Sequence, residues 1–488
     1  MLLENYTVRM MDVFPPEGLT GRRKILTSVE EITAANVVEV LDKALAVHMQ
    51  NAREIDYLWK YYKGRQDIWR KVKLVRENIN NIVTVNRANE IVTFKTSYLL
   101  NEPVQYVSRG GDDETVSQEI DRLNGFMREQ DKDSKDKEIV DWFHICGVAE
   151  RLVLPNVGPD RDIVPFSIYT LDPREAFVIY NAGVGRRPLA GVILQRDEKD
   201  EWYATIYTAN KCFVVRKDSS VAVYPHILGG IPLIEYLNNA ARMGAFEPVI
   251  SILNNINVLE SNAVDSVQDF VNGFDVFQNC DIEDNSYASL SIGGQALKIK
   301  TTVPGMEAKV YRVFSEISQS GVQTRIDDLT DAYLEICGMP NRNGGYSTSD
   351  TGVAVMFRDG WSAASSRAKD TATLFKRSER DFDRIVLRIC EAKRRLNLKL
   401  SDFEPKFPFS NLTNIQSLTQ TFTELLNNPK VHPHLAFEVG SALFRDPEEA
   451  YLMSAKYYQE QQAAQEESIR DAVERGAVEE DIVNEESV

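Results

Sequence analysis

Between residues 252 and 274 apolar side chains recur at Ile252, Ile256, Leu259, Ala263, Val267, Phe270 and Phe274, at spacings of 4, 3, 4, 4, 3 and 4. This spacing puts them on one stripe of a helix from about 248 to 274, roughly 40 Å long at helical rise. A second stripe follows at Val322, Ile326, Leu329, Tyr333 and Ile336. The stretch between, 275 to 312, instead alternates in ALKIK and turns at Val303-Pro304-Gly305. Two helices bracketing a small β-containing knob must run antiparallel, with stripes free to pack on each other and on copies in adjacent subunits.

The same reading extends along the chain. Ser28-Val29-Glu30-Glu31 reads as a capping box, and Val37, Leu41, Ala44, Leu45 and His48 follow on one helical face, where His48 is expected as a core or interface histidine. Helical patterns cover Arg87 to Leu100 and, in more polar form, about Asp113 to Cys146. From Val148 to Tyr236 the texture changes to short β-branched and aromatic runs (AFVIY, AGVIL, WYATIYT, VAVYP) separated by Gly, Pro, Asn and Asp, a strand-rich region. A long helical pattern runs from Val353 to about Leu396, with Gly360 as a candidate kink at a cost of about 1 kcal/mol relative to Ala. Phe375, Phe382, Ile385 and Ile389 mark one of its faces and Arg377, Arg380, Arg384 and Arg388 another. The arginine stripe suits nucleic acid, or pairing with Glu379, Asp381, Asp383 and neighbouring subunits. Beyond Pro405 and Pro408 the patterns describe a small helical module. The fold class expected is α+β, mainly helical.

Between the helical patterns lies CGMPNRNGGYSTSDTGVA, residues 337–354, rich in small polar residues and carrying no recognisable catalytic group. Gly344, Gly345 and Gly352 permit positive φ, and Asn341, Asn343, Tyr346, Ser347, Thr348 and Ser349 offer hydrogen bonds without fixed charge. Such a loop can slide along a phosphate backbone without gripping it, because only cations gain affinity by counterion release. Read alone, it is first of all an ordinary mobile linker.

Charge sharpens this picture. The chain has 488 residues, 56 Lys and Arg against 73 Asp and Glu, and a formal charge of -17, which argues against a generic cationic nucleic-acid binder. The imbalance is segregated: residues 446–488 carry roughly -10 and residues 353–396 roughly +5. Five dispersed cysteines without a CxxC pair suggest neither a disulfide framework nor a thiolate metal site, and reduced intracellular thiols are expected. His432-Pro-His434 lacks a nearby third ligand, so no metal and no cofactor are expected. Phosphate loops, dinucleotide fingerprints, HExxH and GxSxG are absent. The start, MLLENYTVRM, lacks a signal-peptide pattern and no apolar run approaches the roughly 20 residues of a membrane span.

Five separated stretches resemble the portal proteins of tailed bacteriophages, in the version found in long-tailed phages. They are Tyr61-Tyr62-Lys63-Gly64 with NNIVTVNRANEIVTFKTSYLLNEPVQY from Asn80; DPREAFVIY from Asp172; GIPLIEY from Gly230; Gly338-Met339-Pro340 with Thr351-Gly352-Val353-Ala354; and NIQSLTQ from Asn414 with Asp446-Pro447-Glu448. Ser97 and Asn101 stand where that family usually has glycine, and Thr351 where it usually has serine.

The resemblance implies a head-tail connector: a twelve-subunit ring at one capsid vertex through which double-stranded DNA is packaged, retained and ejected without sequence specificity. It implies no catalysis by this chain and no membrane. Its partners would be the terminase large subunit, a head-completion (adaptor) protein, and the major capsid and scaffolding proteins. Residues 1–240 would form a wing, 241–274 and 313–337 two stem helices, 275–312 a clip, and 338–352 a tunnel loop. Residues 353–398 would form a kinked tunnel or wing helix, 399–458 a helical crown and 459–488 an acidic tail. DNA would meet Asn341, Arg342, Asn343, Gly344, Gly345, Tyr346, Ser347, Thr348 and Ser349 on the loop and Arg358, Arg367 and Lys369 on the helix behind it. The stem would pack through Ile252, Ile256, Leu259, Val267, Phe270, Val322, Ile326, Leu329 and Tyr333. Another virion head or tail protein, or an enzyme with a divergent nucleotide site, are the alternatives.

Overall fold

Strand β5 (Ala176–Asn181) explains how the strand-rich region folds. Its alternate residues Phe177 and Ile179 face helix α1 (Val37–Tyr62), while Ala176 and Val178 face the opposite side, so an uninterrupted apolar run is buried on both faces. The computed structural model describes residues 19–73, 77–109, 114–156, 164–271, 274–281, 300–301, 305–307, 309–313, 319–341, 360–407, 415–440, 443–444 and 447–485. About 51% is helical and 18% strand, which fits the α+β class.

Six strands form one sheet in the order β1 (Ile25–Thr27), β5, β6 (Pro188–Arg196), β7 (Trp202–Tyr207), β8 (Lys211–Val215) and β9 (Val221–Pro225). β1 is parallel to β5 and the rest is an antiparallel meander. α1 covers one face through Val37, Val40, Leu41, Ala44 and Leu45. His48 completes that stripe: it is 1% exposed, stacks on Phe177 and places Nε2 2.8 Å from the Arg174 carbonyl oxygen. Burial pushes its pKa down to about 4, so it is a neutral core histidine. Against the other face lies the antiparallel sheet β10 (Leu233–Leu237), β3 (Val148–Pro155), β4 (Phe166–Leu171), with Leu152 and Leu233 meeting Ala176 and Val178.

Helix α1 does not start from the Ser28 capping box. Asn36 occupies the N-cap position, and its side chain serves the preceding turn by accepting from the Thr33 amide (2.8 Å) and donating to the Glu31 carbonyl (3.0 Å). Helices α2 (Arg87–Leu99), α3 (Glu114–Glu129) and α4 (Lys132–Cys146) lie where periodicity puts them. Strand β2 (Gln105–Ser108) follows α2.

The first stripe forms α5 (Ile250–Val271), 22 residues and roughly 33 Å, shorter than the stripe suggests. Phe274, the last member of the apolar series, instead opens β11 (Phe274–Gln278), which pairs antiparallel with β14 (Lys309–Val313). β12 (Cys280–Asp281) pairs with β13 (Lys300–Thr301), so the described residues of the knob include two strand pairs. The chain returns as α6 (Gln319–Cys337).

The pattern from Val353 becomes α7 (Trp361–Ala392). Gly360 stands at its N-cap position with φ +83°, a left-handed conformation that favours glycine; residues 353–359, on which the expected kinked helix depends, lie outside the described residues. Phe375, Phe382, Ile385 and Ile389 of α7 share a core with α3, α4, β3, β4 and β10. β15 (Phe403–Lys406) pairs with β2 and enters the same core through Phe403, so this part of 399–458 is joined to the N-terminal layers. α8 (Ile415–Leu426), α9 (Pro433–Val439) and α10 (Pro447–Glu485) complete the described chain, with α10 fully exposed from Lys456 to Glu467.

At the centre of that core lies an ionic cluster. Lys132 Nζ is 2.7 Å from Asp136 Oδ2 and 3.0 Å from Glu379 Oε2, and Arg151 bridges Asp136 and Glu379 (Nη1 to Oε1, 2.9 Å). Tyr236 and Tyr106 donate to Glu379 (2.6 and 3.0 Å). All four charged side chains are at most 2% exposed. Burial alone would raise the Glu379 carboxyl, but Lys132 and Arg151 outweigh it and hold it below its usual range. Asp383 is also buried and neither oxygen has a hydrogen-bond partner among the described residues. Burial, reinforced by Glu379, pushes it well above the usual carboxylate range, toward its neutral form. Glu379 and Asp383 therefore face the core and do not pair with the arginine stripe; of the expected pairings within the chain, Arg384 with Asp381 is formed.

Candidate channel-forming elements

The two helices of the paired stripes are rooted in the core by opposite ends. Ile250, Leu253 and Ile256, at the start of α5, share one cluster with Tyr333, Leu334 and Cys337, at the end of α6, and with Tyr61 of α1 and Ile91 of α2. Their far ends continue into the paired strands β11 and β14. The helices are thus antiparallel, as their sequence order requires. Ile256, Ile326 and Tyr333 are buried, whereas Ile252, Leu259, Val322 and Leu329 are half-buried and Val267 is 52% exposed. Phe270 lies within α5, its side chain outside the described residues.

The side of α5 opposite its apolar stripe is polar and buried. Asn257, Ser261 and Asp265, spaced four apart, accept from the backbone amides of Val85 (2.8 Å), Val83 (3.0 Å) and Asn81 (2.7 Å), spaced two apart. The match is geometric: four helical residues rise about 6 Å and two extended residues about 6.6 Å, so an extended segment keeps register with one helix face. Lys71 Nζ adds an ion pair to Asp265 at 2.7 Å. Burial would raise the Asp265 carboxyl, but the Lys71 and Asn81 bonds prevail and hold it at about 2. The signal in the sequence was the run of polar residues at four-residue spacing opposite the apolar stripe. Because the folded pKa is depressed, this contribution is full above about pH 4 and is lost as pH falls toward 2. Asp265→Asn is expected to speed hydrogen exchange at the Asn81, Val83 and Val85 amides at pH 7; unchanged exchange would refute the bracing role.

At the inner end of α6 three elements converge. Gly338 has φ +64°, and a methyl group there would meet Arg367 Cγ at 3.0 Å, so α7 lies across the end of α6. Lys95 of α2 is half-buried and donates to the Cys337 carbonyl at 2.8 Å, placing a cation at the helix C-terminus. Burial lowers its pKa. Asn341 donates to Asp331 at 2.7 Å. A methyl group on Gly360 would lie 3.7 Å from the Met339 carbonyl oxygen and 3.8 Å from Pro340 Cα. The chain on either side of 342–359 therefore meets at one point.

Beside that point is a groove of about 690 Å³. Phe94, Tyr98 and Trp361 form an aromatic cluster on it, with ring centroids 5.7 to 6.3 Å apart. Asn89, Thr93, Ser97 and Asn101 add neutral polar groups, and the charges of Arg87 and Glu90 pair at 2.8 Å. Arg342, Asn343, Gly344, Gly345, Tyr346, Ser347, Thr348, Ser349 and Arg358 lie outside the described residues. Arg367 and Lys369 are exposed on the first turns of α7. The patterning did not reveal the aromatic cluster or the convergence of the loop ends.

His434 bonds Glu448 at 2.7 Å and its amide donates to His432, so this pair is engaged in the α9–α10 turn. Among the described residues no His, Cys, Asp and Glu cluster suits a metal ion and no helix is long and apolar enough to cross a membrane.

Compared with curated proteins the chain has no match. The family model described as phage portal protein, SPP1 Gp6-like, matches residues 41–467, a span that takes in α1 from Leu41, the braced α5, the knob, α6, the convergence at Gly338 and Gly360, and the helical module into α10. The chain belongs to that family, the SPP1 Gp6-like portal proteins of tailed phages.

Proposed function

We propose that copies of the chain form a twelve-subunit ring at one capsid vertex, with a bore for packaging, retaining and ejecting double-stranded DNA. The family is that of a ring-forming component of the phage head and is structural in kind. The observation that supports the finer reading is the meeting of Met339, Pro340 and Gly360 at the root of the antiparallel pair, which fixes the two ends of segment 342–359 at one point; we take the segment as an excursion from it. In a ring that excursion points to the axis, and its neutral residues, with Arg342 as main fixed charge, touch DNA without holding it. α5 and α6 form the stem around the bore, and α7 stands behind the loop with Arg367 and Lys369. Residues 275–312 dock the terminase large subunit, which supplies ATP hydrolysis, and later the head-completion protein. The outer layers meet capsid and scaffolding proteins. The protein itself performs no chemistry.

Replacing Asn341–Ser349 with a shorter linker tests this division of labour. Because both ends are pinned together, assembly into rings should be unchanged, while DNA packaging or retention by particles carrying the variant should fall. Loss of assembly, or normal packaging, would count against the loop's assignment.

A further inference from the structure

The arginine stripe on α7 has one more consequence. Arg377, Arg384 and Arg388 line a cleft of about 530 Å³ whose opposite wall, from the β5–β6 hairpin and β1, brings Arg186, Arg187 and Lys24. Six cations from three distant stretches thus surround one cavity. Its two carboxylates are engaged: Glu235 by Arg242 (2.5 and 2.7 Å) and Tyr180, Asp381 by Arg384. Arg388 donates to the Gly229 carbonyl. Arg186, Arg187 and Arg377 have no ion-pair partner among the described residues. Burial lowers the Lys24 pKa, opposed by Glu235 and reinforced by Arg242, Arg186 and Arg377.

The floor is apolar, built from residues that include Ile231, Leu374 and Ile385. A stiff duplex would present phosphates to the rim and leave that floor empty, whereas an acidic helix with an aliphatic stripe fills both. The chain carries such a segment: Gln459–Val488 has 10 Asp and Glu against 2 Arg, with Ile469, Val473 and Ala477 four apart. It lies on α10, a 39-residue helix about 58 Å long, which is exposed from Lys456 to Glu467.

We propose that the basic, apolar-floored cleft is the docking site for the acidic C-terminal segment, residues 466–485, of a second copy of the chain. This rests on ring formation, which places a second copy alongside each cleft. Each ring interface then gains a charge-complementary strap in addition to the stem, and a loss at 150 mM salt or above is buffered by the aliphatic contacts.

The test mixes two full-length, differently tagged variants before assembly, one carrying Arg187→Cys and the other Glu480→Cys, and reads the disulfide joining the two tags under mild oxidation. The expected result is a mixed-tag link whose yield falls at least ten-fold when Arg186 and Arg377 are changed to Glu, and returns when Glu474 and Glu479 are changed to Lys as well. Rings without the link overturn this proposal alone; monomers without it overturn the ring reading too. A link that forms only within a copy carrying both cysteines, or a cleft charge reversal that weakens binding of a labelled DNA duplex while leaving the link unchanged, also overturns it.

Discussion

Glu379→Gln is expected to lower the stability of the layered N-terminal unit by about 3–5 kcal/mol, the cost of leaving buried charges without their counterion. Glu379 accepts from Lys132, Arg151, Tyr106 and Tyr236 together, and the isosteric amide keeps the volume while leaving two cations with Asp136 alone. Because α4, β2, β3, β10 and α7 all contribute to this cluster, the loss spans the unit: a thermal transition roughly 10 °C lower is expected. Arg384→Gln, at the exposed pair with Asp381, should cost within about 0.5 kcal/mol and serves as the control. Equal effects would show that the cluster is not what ties α7 to the sheets. Asp383 supplies a signed pH dependence in the same measurement. Its folded pKa is raised, so the native state keeps a proton that the unfolded chain releases above about pH 4, and stability falls as pH rises from there. Asp383→Asn, which mimics the protonated acid, should be more stable than the parent at pH 8 and have a flatter profile; a steeper profile would contradict the neutral assignment.

The second large effect concerns assembly. Val264→Asp with Val267→Asp should abolish rings while moving the thermal transition of the single subunit by no more than about 1 kcal/mol. The two valines lie three apart on one face of α5 and are 42% and 52% exposed, so within the subunit they contribute little. In a ring each would leave water, at roughly 1 kcal/mol or more per side chain, and two carboxylates at every interface would carry a desolvation cost as well. The polar face of α5 is already occupied by the Asn81–Val85 segment, so its apolar side is the one available to a neighbour. Analytical ultracentrifugation separates the outcomes: a folded monomer supports the stem packing, and rings of unchanged size refute it.

Periodicity made much of this fold legible because burial here follows period. The α1 face, the strand runs and the α7 core stripe each carry apolar residues at the spacing of their element, and each lies against a core. The end of α5 was misplaced because Phe274 continues the helical phase while belonging to β11, where Val313 pairs with it; one apolar residue satisfies either element. A glycine in a helical pattern carries no mark of its backbone conformation, and the φ of +83° at Gly360, at the N-cap position of α7, is a structural fact the pattern does not contain. The arginine stripe was legible as a stripe, yet of its acidic neighbours in sequence Glu379 turns inward to Lys132 and Arg151, some 230 to 250 positions away, and Asp383 is buried beside it. Long-range ion pairs have no local period. The same holds for the Asn81–Val85 brace, half of which is backbone, and for the cleft that joins Arg186 and Arg187 to α7. The loop composition gave no sign that the residues flanking it meet, which is a tertiary fact.

One measurement bears on the ring most directly: end-on electron-microscopy class averages of the purified full-length protein. Closed rotationally symmetric rings with a central opening wide enough for duplex DNA are expected, with twelve subunits in the assembled particle. Compact monomers, or filaments without an axial opening, would contradict the proposal that antiparallel α5 and α6 surround a bore.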